Sequence, residues 1–131
     1  MKPNPMVLSV IRDTFAVCRI DAFKDIPDSV LGSSFFSVTR TADELSIICP
    51  EKNIPQESMA ETSWRCLKIH GPLDFTTTGI ISSLTTTLAQ ENISVFVFST
   101  YDTDYIMIKD HDLNRAIDTL TKGGHQVHHD E

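Results

Sequence analysis

The sequence is poor in the residues and motifs that mark the commonest chemistries. Its 131 residues hold only three cysteines, five glycines and one tryptophan. Cys18, Cys49 and Cys66 stand far apart in apolar, strand-like stretches and match no zinc-site spacing. An odd count, with no secretory leader legible, is that of reduced thiols, and the expected place is the cytoplasm, with all three as buried packing residues. Positive charge is scarce as well: eleven lysines and arginines face eighteen acids, for a net charge of −7. That is the wrong sign for holding a phosphate backbone, so nucleic acid is not an expected partner. No apolar run approaches the roughly 18 to 20 residues of a membrane span. Phosphate-loop, dinucleotide and serine-nucleophile motifs are all missing, so neither an enzyme nor a cofactor is expected.

What is present is the balance of a soluble globular chain, 40% hydrophobic and 22% charged, long enough for one domain or two small ones. Residues 64–70 (WRCLKIH) put Leu67 and Ile69 on one face and Trp64 and Cys66 on the other, a strand that Gly71 and Pro72 stop. Across 77–90 the residues Ile80, Ile81, Leu84 and Leu88 make the stripe of an amphipathic helix, with Asn92 as a left-handed stop. Residues 93–100 (ISVFVFST) read as a strand covered on both sides. After the turn 101–104, YIMIK at 105–109 is a further strand, and Asp110 or Asp112 caps a helix carrying Leu113, Ala116, Ile117 and Leu120 that Gly123 and Gly124 end. A short strand about Gln126 and Val127 closes the series.

The order strand, helix, strand, strand, helix, strand predicts an α+β, ferredoxin-like βαββαβ unit over residues 63–131. Residues 1–62 predict a shortened copy: a strand at 15–20, about two helical turns at 25–31, and a hairpin of 35–41 with 44–49 about Ala42 and Asp43. Residues 53–63 are polar, with one proline, and predict a loop or one helical turn, and residues 7–11 one extra strand at the start.

In such a unit a right-handed crossover brings the carboxyl ends of the first two strands to one edge, beside each other. The loop GPLDFTTTG at 71–79 therefore faces the turn STYDTD at 99–104. The loop opens a helix through Thr77, Thr78, Gly79 and Ile80, whose free N–H groups suit a carboxylate. Asp104 suits an ammonium or guanidinium group. The same residues also fit a plain cap and a plain turn. His125, His128 and His129, with Asp130 and Glu131, hold metal-type donors but at a chain end, and no metal site is expected of them. A Cys66/His70 pair on one strand face is the remaining catalytic arrangement.

At these residues the chain resembles the ACT-domain family, in its CASTOR-like subgroup, which includes the arginine sensors of the animal mTOR pathway. The resemblance is carried by GPLDFTTTGIISSL and ISVFVFSTYDTDYIMIK, with FFSVTRTADELSIICPE matching the hairpin of a preceding repeat. It implies two ACT-like units in tandem, amino-acid sensing or allosteric regulation, and ligand between units. It also implies that the ligand is held by Thr77, Thr78, Gly79 and Ile80 and by Thr100, Tyr101 and Asp104. Gly79, Ile80, Thr100 and Asp104 keep the residue types of the arginine sensors and Tyr101 keeps an aromatic ring. Thr77 replaces an acid, so a smaller or neutral amino acid is as well suited as arginine. A homodimer would supply the second pair of units that the longer sensors hold in one chain. The competing reading is an interaction module whose pocket is vestigial.

Overall fold

A computed structural model of the chain describes residues 5–70 and 79–129. Among the described residues eight strands alternate with few helices: β1 (Val7–Val10), β2 (Phe15–Ile20), α1 (Asp28–Leu31), β3 (Ser37–Arg40), β4 (Leu45–Pro50), β5 (Met59–Ile69), α2 (Ile80–Gln90), β6 (Val95–Ser99), β7 (Asp104–Lys109), α3 (Leu113–Lys122) and β8 (Gln126–His129). Single 3-10 turns at Glu51–Asn53 and Asp110–Asp112 interrupt the series. Two compact units result, one of residues up to Arg12 with those from Arg65 onward, the other Asp13–Trp64.

In the Asp13–Trp64 unit the strands run β3-β4-β2-β5, the last through residues 59–64. Its core is Ala16, Cys18, Ile20, Val30, Leu45, Ile47 and Cys49. Helix α1 has one turn where two were expected. The pyrrolidine of Pro27 disfavours helical backbone at Ile26, so the helix starts after it, and Gly32 ends it. The expected loop at 53–63 is in part strand, since β5 starts at Met59. Its pairing with β2 slips between Phe15↔Trp64 and Val17↔Glu61. At that irregularity Ser63 takes φ of 66° and donates its N–H to Glu51 Oε1 at 2.5 Å.

In the other unit the order is β6-β7-β5-β1-β8. The extra strand β1 lies between β5, antiparallel to it at Leu8↔Ile69, and β8, parallel to it at Leu8↔Val127. It thus belongs to the later unit. Leu8, Val10, Leu67, Ile69, Ile106 and Ile108 meet Leu84 and Leu88 of α2 and Leu113, Ala116 and Leu120 of α3 in one core. The hydroxyls of Thr85 and Thr87 donate to the carbonyls of Ile81 and Ser83, which lets a serine- and threonine-rich segment stay helical. Asn92 has φ of 58°, the expected left-handed stop. Strand β6 pairs with β7 across the expected turn, and it departs from expectation only in cover: Val97 is 37% exposed where cover on both faces was expected. A run of valine and phenylalanine reports strand propensity and not cover.

Candidate functional site

The expected ligand residues fall into two groups, with Thr77 and Thr78 outside the described residues. Gly79 is the N-cap of α2 with φ of 82°, and a Cβ built there would meet nothing within 4 Å. Glycine is needed at this position for its backbone angle, not for space. The carbonyl of Gly79 accepts the first helical bond, from Ser83 N–H at 2.8 Å. Helix geometry leaves the N–H groups of the first turn without acceptors inside the helix, and no acid stands in that turn. Ile80 is partly buried and packs against the core that holds Leu84 and Leu88.

Thr100, Tyr101 and Asp104 come together in the turn between β6 and β7. Thr100 donates its N–H to Thr103 O at 2.8 Å, and its hydroxyl accepts from Thr103 N–H at 3.3 Å. Tyr101 is 80% exposed at the tip. Asp104 stands opposite Ser99 in the ladder, and Ser99 Oγ donates to Asp104 Oδ1. Beneath them Phe98 and Tyr105 stack at 5.0 Å between ring centroids. Two residues that were not singled out from the sequence organise this turn. Ser99 orients the Asp104 carboxylate, and buried Thr103 donates its hydroxyl to Ile69 O, tying the turn to the carboxyl end of β5. Their only sequence signal was a run of hydroxyl residues at a strand end.

The other candidates are occupied by structural work. Cys66 is fully buried, and burial pushes its thiol up to about 12, so no thiolate forms near neutral pH. His70 Nε2 lies 2.5 Å from Ser9 Oγ instead. Cys18 does have thiolate-favouring neighbours, Cys49 and Ser58, whose hydrogen bonds pull its pKa down, but it is 1% exposed and out of a substrate's reach. Among the described residues no three His, Cys, Asp or Glu side chains gather as a metal site would require. His125 is buried, and its Nδ1 accepts the Met6 N–H at 3.0 Å.

That contact has a pH consequence. Burial holds the His125 pKa below its ordinary value of 6.5, so the folded state favours the neutral ring. The unfolded chain takes up a proton first as pH falls. The stability lent by the neutral ring is therefore complete above the unfolded pKa and drains away as pH falls from about 6.5 through the folded-state pKa. Comparing urea unfolding of wild type and His125→Gln at about pH 7.5 and about pH 5.5 should show the steeper acid loss in wild type. Parallel losses would remove His125 as the cause.

Comparison with known proteins agrees with the two-unit organisation. A model described as ACT domain matches residues 59–122, starting where β5 starts, and a model of an N-terminal domain matches 13–57. The Bos taurus protein named cytosolic arginine sensor for mTORC1 subunit 1 is 31% identical over 99 residues, 67% of this chain and 30% of its own length. Human CASTOR3P is 35% identical over 100 residues, 66% of this chain and 61% of its own. The chain thus spans less than two thirds of either relative. A crystal structure of an Agrobacterium tumefaciens protein superposes with a TM-score of 0.91 at 34% identity, covering 98% of this chain and 96% of that one. Aspartate kinase of Clostridium acetobutylicum shares the fold, with a TM-score of 0.64 at 16% identity over 86% of this chain and 33% of that one. With these matches and its ferredoxin-like units, the chain belongs to the ACT-domain family, in the CASTOR-like group.

Proposed function

We propose that this protein is a regulatory sensor that binds a free amino acid, with the ligand carboxylate at the N–H groups that open α2 and its ammonium at Asp104. Two features support the reading: an acid-free helix start at Gly79, and an exposed turn whose Asp104 carboxylate is held by Ser99. A zwitterion has the two charges this arrangement complements. The named role of the relatives, arginine sensing, supports the class of ligand. Thr77, where those sensors carry an acid, makes a small or neutral amino acid as well suited as arginine.

The same reading places the protein in the cytoplasm as a homodimer, with ligand between units of two copies. Strand β6 offers a reason to pair, since it lies at the end of the strand order and its apolar side chains are partly exposed. A solution mass of one chain would remove this part.

The test is a thermal-denaturation panel of the twenty free amino acids. A true ligand at about 100 times its dissociation constant adds roughly 2.7 kcal/mol to stability. One amino acid, or a few of similar shape, should raise the melting temperature. If none does, the chain is better read as an interaction module with a vestigial pocket.

A further inference from the structure

We infer that the Asp13–Trp64 unit carries a ligand site of its own, an open acidic cleft with Phe23 and Met59 at its rim that takes a small organic cation. This inference does not rest on the amino-acid site proposed above.

Three connections of this unit converge on a cleft of about 470 Å³. They are the segment after β2, the β3–β4 turn and the approach to β5. That volume lies in the range of small-molecule sites. Phe23 and Met59 line it and are 87% and 70% exposed, among the most exposed large apolar side chains described. Uncovered apolar surface of this kind, set in a concavity and rimmed by charge, is the usual mark of a binding surface.

The charge of the lining selects the ligand. Asp21, Asp43, Glu57 and Arg19 are its ionisable members. The Arg19 guanidinium is already engaged, by the Asp43 carbonyl at 3.2 Å and the Glu44 carboxylate at 3.9 Å. Glu57 has Lys24 at 3.9 Å. Asp21 accepts only the Phe23 N–H at 3.0 Å among the bonds described, an arrangement that also sets the aromatic ring at the rim. The lining therefore presents unneutralised carboxylates, from Asp21 and Asp43, next to an aromatic face and a thioether. Carboxylate, aromatic ring and methionine together suit an ammonium on an aliphatic stem.

The turn that supplies Asp43 repeats the architecture of the other unit. Thr41 donates its N–H to Glu44 O at 2.9 Å, and its hydroxyl accepts from Glu44 N–H at 3.1 Å. Thr100 and Thr103 make the same pair of bonds. The same threonine-closed turn thus follows β3 and β6, with Asp43 and Asp102 at the matching position, and after β3 the turn borders the cleft.

Calorimetric titration of the full chain tests the inference with three probes: putrescine, lysine and glutamate. Putrescine, lysine or both should bind and glutamate should not. Binding of putrescine alone identifies a ligand without a carboxylate, and of lysine alone an amino acid. Asp43→Asn and Phe23→Ala, both at exposed positions, should each weaken that binding about tenfold or more, and Asp104→Ala should leave it unchanged. Absence of heat with both cations at millimolar concentration overturns the inference. So does cation binding that survives Asp43→Asn and Phe23→Ala but is lost in Asp104→Ala, which would assign the ligand to the other unit. The amino-acid panel touches these outcomes through lysine alone: if it fails, the putrescine arm still decides the inference, and if lysine is its hit, Asp43→Asn and Asp104→Ala assign the lysine to one unit or the other.

Discussion

In an Asp104→Ala protein the amino-acid-dependent gain in stability should largely disappear while the ligand-free protein melts close to wild type. A hydrogen bond to a charged group contributes about 1.5 to 3 kcal/mol, so its loss weakens binding roughly 10- to 100-fold. At a concentration that is about 100 times the wild-type dissociation constant, the gain then falls from roughly 2.7 kcal/mol to between about 0.4 and 1.4 kcal/mol. The fold should tolerate the change because Asp104 is the first residue of β7, partly exposed, and its described partner is the exposed Ser99 hydroxyl. Asp104→Asn separates charge from shape: it keeps an acceptor for Ser99 and should still lose most of the ligand effect. If both variants respond to the amino acid as wild type does, the ligand sits elsewhere. The prediction is a differential one, so a small change in basal stability does not confuse it.

Much of this was legible in the sequence because side-chain periodicity records cover. Leu84 and Leu88 in α2, and Leu113, Ala116 and Leu120 in α3, are buried as their spacing requires. Failures came where structure is held by the backbone alone. The first five residues of β5 (MAETS) are exposed, so no face-specific alternation marks them; their pairing with β2 supplies the strand. Position in the sheet was equally silent, since β6 and a buried central strand share a composition. At the candidate site, Gly79 and Asp104 were singled out from the sequence, and the structure gives their places: the N-cap of α2 and the first residue of β7. The parts played by Thr103 and Ser99 could not be singled out, since a bond from Thr103 to Ile69 joins residues 34 apart in sequence. The order of sheet strands decides such contacts, and no local pattern encodes it.

The helix that opens at Gly79 is anchored to its sheet by Leu84, and Leu84→Ala should be among the most costly single truncations in the chain. The side chain is completely buried between β-strand residues such as Ile69 and Ile106 and the facing helix residues. Removing it forfeits transfer free energy and leaves a cavity, for a cost of about 3 kcal/mol within the usual span of roughly 2 to 5. For a chain of this length that is a fall on the order of 10 °C in melting temperature. Leu84→Met keeps most of the volume and should cost less than about 1.5 kcal/mol. Thr86, two residues on, is exposed. Thr86→Ala should therefore be neutral or slightly stabilising, because alanine is the better helix former. Urea unfolding with an unchanged dependence on denaturant would show that stability and not compactness has changed. A loss under about 1 kcal/mol for Leu84→Ala would mean that α2 is not packed on the sheet as described. The proposed ligand site would then lose its rigid half, because the direction of the first-turn N–H groups is set by where Ile80, Leu84 and Leu88 seat the helix.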